Sequence, residues 1–179
     1  ARCWKSYGPK LRGTTPLQAV EILGRCRIEP RQSLYLVRLG SRILVIGSSG
    51  GGKSTFSRRL HEATRLKLIH LDRLYWKANW VEPADKAAWR ASLAEVLKED
   101  EWIIDGNYSS TMEMRLRARD TTILLDLPNY ICTWRVLKRV LLYRKGGRRD
   151  MAEGCHEKFD WEFLKWTWNY PKRSKPKVE

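Results

Sequence analysis

The sequence has no long apolar run, and it begins without the apolar stretch of a secretory signal peptide. A membrane-spanning helix needs about 18 or more consecutive apolar residues, and no such run occurs in the 179 residues. These absences predict a cytoplasmic protein with no membrane partner.

Paired cysteines are also absent. Cys3, Cys26, Cys132 and Cys155 are scattered and include no C-x-x-C pair. This spacing argues against a zinc site and against a disulfide framework, and it fits a reducing compartment.

Acidic residues are few compared with basic ones. The chain has 35 Lys and Arg against 20 Asp and Glu, which gives a net charge of +15. Such a surface attracts polyanions. Nucleic acid is one candidate and a pair of phosphorylated small ligands is another, and charge alone does not choose between them.

Two regions differ in composition. Residues 1–40 are basic and broken by glycine and proline, with one short helical candidate at Leu17–Leu23. We predict that they form a poorly packed N-terminal extension. The remainder, residues 41–179, is predicted to form one domain, because its apolar and charged residues alternate as in a globular α/β protein.

A glycine-rich stretch carries the strongest signal. The segment from Gly47 to Ser54 fits G-x-x-x-x-G-K-[S/T], the P-loop or Walker A pattern, between an apolar strand and a helix. Glycines bring backbone N–H groups close to phosphate oxygens, and the lysine and hydroxyl suit the terminal phosphates and Mg²⁺. We predict that ATP and Mg²⁺ are bound by Gly47, Ser48, Ser49, Gly50, Gly51, Gly52, Lys53, Ser54 and Thr55.

Strands and helices are predicted to alternate after this loop. The order indicates a parallel sheet flanked by helices, in which ligands bind beyond the carboxyl ends of the strands. Predicted strands cover 42–47, 67–72 and 121–127, and the segment 102–108 is predicted to carry a further strand between the last two. Predicted helices cover 53–64, a segment opened by Glu82-Pro83, a short helix to Arg117 behind a capping box at Ser110, 129–143, and a last helix capped by Asp160.

Three aspartates lie at the carboxyl ends of predicted strands. Asp72 and Asp105 are predicted to be catalytic together with Lys53, Asp72 on the acceptor and Asp105 on Mg²⁺ through water. Asp126 is a weaker candidate, because it precedes Leu-Pro.

Aromatic residues are dense beyond Asp72. Tyr75, Trp76 and Trp80 either wall an acceptor pocket or pack in the core, and both alternatives stay open. We place these three residues and Asn107 on the substrate side. Core packing is the prediction for Trp89, Trp102 and Trp134.

A run of basic residues follows the fourth predicted strand. Arg135 and Arg139 are four apart, so they share one helix face and are predicted to act on the transferring phosphoryl group. Arg144, Arg148 and Arg149 continue the charge into a glycine-rich flap, predicted to be a lid at about 144–157.

Several motifs in order suggest a family. G-S-S-G-G-G-K-S-T, I-H-L-D-R-L-Y-W, W-I-I-D-G-N-Y, L-D-L-P and F-D-W-E-F-L-K-W resemble the bacterial DNA topology modulation proteins, adenylate-kinase-related P-loop proteins. The resemblance covers about residues 42–177. It implies a nucleoside or nucleotide kinase-like sheet of order 2-3-1-4, an ATP–Mg²⁺ site at the loop and a short lid. Arg149 and His156 replace expected prolines, and a fifth, C-terminal strand is expected to be missing.

Two functions remain. The first is an ATP-dependent kinase acting on a small hydroxyl- or phosphate-bearing acceptor. The second is a nucleotide-dependent regulator associated with DNA, although we predict only weak, non-specific nucleic-acid binding. A switch GTPase is disfavoured because N-K-x-D is absent, and a motor ATPase because no Glu follows Asp105 or Asp126. The kinase is favoured.

Overall fold

The structure is a computed structural model that describes residues 18–21, 39–143, 155 and 159–173. The predicted lid arginines Arg144, Arg148 and Arg149 lie outside the described residues. None of the helices in the described ranges is long and apolar enough to cross a membrane.

Five strands and six helices make up the described fold. The strands are β1 (Gln18–Glu21), β2 (Arg42–Gly47), β3 (Leu68–His70), β4 (Trp102–Asp105) and β5 (Thr121–Leu125). The helices are α1 (Lys53–Thr64), α2 (Leu71–Tyr75), α3 (Lys86–Leu97), α4 (Met112–Ala118), α5 (Asn129–Leu142) and α6 (Trp161–Arg173). Short 3₁₀ turns occur at Ala78–Trp80 and Ser109–Thr111.

The strands form one parallel sheet in the order β1-β5-β2-β4-β3. The four strands from Arg42 onward therefore have the order predicted from the sequence, 2-3-1-4. The edge beside β5 is taken by β1, in the register Gln18 with Thr121. The helical prediction for Leu17–Leu23 was wrong, since Gln18–Glu21 is a strand. That residues 1–40 form a poorly packed extension stays a prediction.

The core has two layers, one on each face of the sheet. Successive residues of a strand point to opposite faces, so Leu44 and Ile46 pack on one side of β2 while Ile43 and Val45 pack on the other. On the first side lie α3, through Trp89 and Leu93, and the loop before α4, through Tyr108. On the other side lies α1, through Phe56 and Leu60. Central strands buried on both faces explain the continuous apolar sequence of β2 and β4.

A salt bridge fixes the start of the strand that leads to the phosphate loop. The Asp120 carboxylate accepts hydrogen bonds from the Arg42 backbone N–H at 3.0 Å and from Arg42 Nη2 at 3.0 Å. A Cβ on Gly40 would lie 2.3 Å from Asp120 Cβ. The chain therefore enters β2 packed closely against the residue that precedes β5.

Three local predictions needed correction. Strand β3 ends at His70, so Asp72 lies in the first turn of α2. Helix α3 begins at Lys86 with Asp85 as its N-cap, because the Asp85 carboxylate accepts from two backbone N–H groups. The capping box predicted at Ser110 does not form, since α4 is capped by Thr111 without a side-chain bond.

Trp134 was predicted to pack in the core, and this was wrong. It lies on α5 with 65% of its surface exposed, whereas Trp89 and Trp102 are buried as predicted. The side of α5 that packs inward carries Cys132 and Val136 instead.

Candidate active site

The glycine loop between β2 and α1 has the backbone conformation that its glycines predict. Gly47, Gly50 and Gly52 have φ angles of 144°, 75° and 89°, values that side chains with a Cβ rarely adopt. A Cβ on Gly50 would lie 2.3 Å from the carbonyl oxygen of Cys132. At Gly52, no atom of the described residues lies within 4 Å of that position. The loop thus packs on α5 at Gly50 and opens outward at Gly52.

Helix α1 begins at Lys53, directly after this open glycine. Backbone N–H groups at a helix N-terminus, together with the helix dipole, favour an anion there. Lys53 Nζ donates a hydrogen bond to the Ser48 carbonyl at 3.0 Å, so the ammonium lies over the loop. Arg135 Nη1, from α5, lies 3.5 Å from the Gly50 carbonyl. Two cations therefore flank the loop.

The carboxyl ends of three strands lie side by side next to this loop. His70 of β3 pairs in register with Asp105 of β4, and Asp105 pairs in register with Val45 of β2. Gly106 N–H donates to the Val45 carbonyl at 3.2 Å. This row places Asp105 beside the residues that lead into the phosphate loop, on the edge of the sheet where the sequence predicted the site.

Asp105 is buried and bonded to a histidine. His70 Nδ1 lies 2.9 Å from Asp105 Oδ2, with exposed side-chain fractions of 13% and 5%. Since an ionised carboxylate only accepts, Nδ1 is the donor in that state. The other oxygen, Oδ1, is buried and has no hydrogen-bond partner in the described part of the chain. One oxygen is therefore held by His70, while the second is a buried acceptor without a partner among the described residues.

Asn107 holds the first residue of the loop. Its Nδ2 donates to the Gly47 carbonyl at 2.7 Å, and its Oδ1 accepts from the Gly47 N–H at 3.2 Å. The amide thereby forms a two-point clamp on the backbone where β2 ends.

Tyr108, the next residue, is bonded to Asp72, the aspartate predicted to lie on the acceptor side. Its hydroxyl donates to Asp72 Oδ1 at 2.9 Å. Burial and the neighbouring Asp72 charge raise the pKa of the Tyr108 hydroxyl above its usual range, so it keeps its proton. Asp72 is half-buried.

A cluster of aromatic rings surrounds that pair. Tyr75 contacts Trp76, Trp89 and Tyr108, with ring centroids 5.1, 5.0 and 4.8 Å apart. Trp76 in turn contacts Trp80 at 5.4 Å. The predicted substrate-side aromatics therefore belong to one cluster that continues into the core at Trp89.

The turn that carries Trp80 has an unusual backbone. Asn79 and Trp80 have φ angles of 60° and 62°, and left-handed conformations are costly for a residue such as Trp. Lys77 and Val81 close the turn as an antiparallel bridge. The buried Cys155 thiol donates to the Lys77 carbonyl at 3.4 Å and accepts from the Trp80 N–H at 3.3 Å.

Arg115 of α4 is fully buried behind the loop that follows β4. Its guanidinium donates to the backbone carbonyls of Gly106, Asn107 and Tyr108 at 2.8 to 2.9 Å. Burial lowers the pKa of Arg115 to about 10, so the group is still charged at neutral pH.

The predicted site residues are only partly brought together. The contacts above link the phosphate loop with Asn107 and Arg135, and link Asp72 with the aromatic cluster. Arg139 shares α5 with Arg135, as predicted. His70, Tyr108 and Arg115 were missed. Two of them could have been found from their position next to the carboxyl end of a strand. His70 ends β3, and Tyr108 belongs to the segment that follows β4. Nothing distinguished Arg115 from its neighbouring arginines.

Together the sheet order, the loop after β2 and the helix that starts at Lys53 define a P-loop NTPase fold. No family model matches the sequence, and no curated protein matches it. Among solved structures, a gluconokinase from Sinorhizobium meliloti 1021 is similar, with a TM-score of 0.48 and 17% sequence identity over 79% of this chain and 77% of that chain. The resemblance to the DNA topology modulation proteins stays a prediction.

Proposed function

We propose that the protein is an ATP-dependent phosphotransferase that moves the γ-phosphoryl group of ATP to a small acceptor. One observation supports this most directly. Hydrogen bonds and strand register join the phosphate loop, Asp105 and the Asp72–Tyr108 pair along a single edge of the sheet. A kinase needs such an arrangement, with a donor phosphate site and an acceptor-binding carboxylate on adjacent elements.

The donor half is formed by the phosphate loop. Its backbone N–H groups and Lys53 suit the β- and γ-phosphates, and the Ser54 hydroxyl suits Mg²⁺. The buried Asp105 Oδ1 has no hydrogen-bond partner among the described residues, which fits a carboxylate oxygen facing a Mg²⁺-bound water. Bound Mg²⁺ would neutralise phosphate charge. In the described ranges no group of three or more His, Cys, Asp and Glu side chains is placed to hold a metal without the nucleotide.

The acceptor half is assigned to Asp72 and the rings around it. An acceptor hydroxyl would donate to the Asp72 carboxylate, and its oxygen would attack the γ-phosphorus as the bond to the β-phosphate bridging oxygen breaks. The hydroxyl proton would pass to Asp72, and ADP would leave. Tyr75, Trp76 and Trp80 suit an acceptor with a flat or ring-shaped part, because aromatic faces pack well against rings.

The basic residues of α5 are assigned to charge neutralisation. Arg135 already approaches the loop at Gly50, and Arg139 follows one turn later on the same helix. We infer that both stabilise negative charge on the transferring group. The alternative, a DNA-associated regulator, is motivated by the net charge of +15 and by the resemblance to the DNA topology modulation proteins, but charge attracts any polyanion.

A transfer assay tests the proposal. The protein, with ATP and Mg²⁺, would be offered nucleosides, nucleotides and sugars, and both ADP release and phosphorylated acceptor would be measured. We expect transfer to at least one acceptor class, lost in Lys53→Ala. If ATP binds tightly but no acceptor in the panel is phosphorylated, the kinase proposal fails. Duplex DNA titrated at two salt concentrations tests the alternative, since phosphate contacts weaken steeply with salt.

A further inference from the structure

We propose that the segment Gly106–Tyr108 is a rigid bridge that sets the phosphate loop and the acceptor-side carboxylate at a fixed separation, and that Arg115 is the positioning residue that holds it. The acceptor half of this inference rests on the proposed function, while the phosphate-loop half needs only nucleotide binding. Neither Arg115 nor Tyr108 was a predicted site residue.

The case begins with the burial of Arg115. Its exposed fraction is 0%, and taking a guanidinium out of water is costly unless its donors are satisfied. Nη1 donates to the Gly106 carbonyl at 2.8 Å, and Nη2 donates to the Asn107 and Tyr108 carbonyls at 2.9 and 2.8 Å. Nε adds a longer bond to the Thr111 carbonyl at 3.3 Å. The guanidinium thus donates to three consecutive backbone carbonyls of one short segment.

Holding those carbonyls fixes the directions of the two side chains that the segment carries. Asn107 reaches one way and clamps both backbone groups of Gly47. Tyr108 reaches the other way and donates to Asp72. A shift of the segment would therefore disturb both halves of the site together. A buried charge that holds a loop, with no acidic partner among the described residues, is unfavourable for stability alone, which favours a positioning role.

The inference reassigns Asn107. The sequence placed it with the substrate, but its amide is bonded at both ends to the loop backbone. Its primary effect should therefore be on nucleotide affinity. The guanidinium of Arg115 also matters, because Lys would offer one nitrogen on a flexible chain and could not reproduce the bonds that Nη1 and Nη2 make to three carbonyls.

The test uses four variants of the full chain. Asn107→Ala should weaken ATP binding by about 10-fold and leave the acceptor KM unchanged, because it removes hydrogen bonds to the loop. Tyr108→Phe should leave ATP affinity unchanged and lower kcat. Arg115→Lys should change both. Arg117→Lys is the matched control, since Arg117 lies on the same helix but is exposed and paired with Glu113, and it should change neither.

An NMR readout makes the result independent of turnover. The Gly47 amide signal should move in Asn107→Ala and Arg115→Lys, and the Asp72 carboxyl carbon signal should move in Tyr108→Phe and Arg115→Lys. If the wild type binds ATP but transfers no phosphoryl group, the proposed function fails. The NMR signals still test whether Arg115 holds the segment Gly106–Tyr108 in place.

Three outcomes would overturn the bridge. One is an Asn107→Ala variant with altered acceptor KM and normal ATP affinity. Another is an Arg115→Lys variant that is less stable yet has wild-type affinity, kinetics and signals. If Arg115→Lys does not fold, the remaining pair decides: Asn107→Ala and Tyr108→Phe must affect separate halves of the site, and identical effects would sink the proposal.

Discussion

His70 and Asp105 face each other across β3 and β4, with Nδ1 of the imidazole 2.9 Å from Oδ2 of the carboxylate. Both side chains are largely removed from water. Because the pair lies in register at the ends of two adjacent strands, the histidine orients the carboxylate that we place nearest the metal-bound nucleotide. In the proposed function, His70 would hold Asp105 in place without itself contacting Mg²⁺.

We predict a measurable energetic coupling between these two residues. His70→Ala leaves a buried carboxylate oxygen without its donor and should lower the free energy of unfolding by about 1–3 kcal/mol. A double-mutant cycle with Asp105→Ala, followed by urea unfolding, measures the interaction. Fully additive single-variant effects would mean that the contact does not stabilise the carboxylate.

Lys53→Ala should abolish tight ATP binding while the fold is kept. The ammonium donates to the Ser48 carbonyl of the loop at 3.0 Å, and bound phosphates need it as a counter-charge. Calorimetry measures the affinity and circular dichroism the fold. Lys98→Ala, at the exposed end of α3, removes the same charge away from the loop and serves as control. Unchanged ATP affinity in Lys53→Ala would remove the basis of the proposed function.

Two glycines of the loop should respond differently to alanine. Gly50→Ala forces a Cβ to within 2.3 Å of the Cys132 carbonyl at a φ of 75°, so we expect a loss of stability of about 1–3 kcal/mol or more. Gly52→Ala meets backbone strain at a φ of 89°, and no atom of the described residues lies within 4 Å of its Cβ position. We expect it to cost less stability and to weaken ATP binding more. Thermal unfolding and calorimetry on both variants check the contrast, and a reversed order would contradict the loop geometry.

Asp72→Asn should lower turnover by roughly 10²-fold or more and leave ATP affinity nearly unchanged. The amide keeps the size of the side chain and can still accept from Tyr108, but it cannot take up the acceptor proton. Glu113→Gln, exposed on α4, is the matched control. Steady-state kinetics with the acceptor found in the panel give kcat, and an equal loss of ATP affinity and turnover would exclude an acceptor-side role.

The salt bridge between Arg42 and Asp120 at the start of β2 should make the stability of the fold depend on pH. Burial alone would raise the pKa of the Asp120 carboxyl, but the hydrogen bonds and charge of Arg42 outweigh it and lower the pKa below its usual 3.8. The stabilisation by the salt bridge is therefore fully present above pH 3.8, the usual pKa of the carboxyl. It is lost as the pH falls through the lowered pKa of Asp120 in the folded protein. Asp120→Asn should cost about 1 kcal/mol at pH 7, because the pair is partly exposed. The difference in free energy of unfolding between variant and wild type, measured with urea, should narrow below about pH 4. A difference that stays constant with pH would refute a stabilising role for this salt bridge.

The sequence predicted those parts of the molecule whose chemistry is local. The phosphate loop, α1 and the four main strands depend on glycine spacing and on alternating apolar segments, which neighbouring residues reveal. The order of those strands was implied by the resemblance to a known family and not by local pattern. Arg115 could not be found in this way, because M-E-M-R-L-R-A-R contains several arginines and the helix phase selects one of them. That phase depends on α4 starting at Met112.

Tryptophan positions on α5 and α6 show the same dependence on tertiary packing. Trp134 was expected in the core for its apolar surface, but Cys132 and Val136 occupy the inward side of the helix. Trp161 and Trp168 on α6 are likewise exposed. The buried set is decided by how the two helices approach each other, and residue type alone does not determine it.

The pairing of β1 with β5 has a consequence for biosynthesis. Gln18 lies early in the chain, yet its ladder partner Thr121 follows every other strand of the sheet. During translation β1 leaves the ribosome before its partner exists, so it has to wait until β2 to β5 have assembled before it can add to the edge. Contacts between such distant segments form late, since loop closure is costly. The nascent chain would thus acquire its phosphate loop before its outermost strand, and β5 would present an open edge to chaperones in the interval.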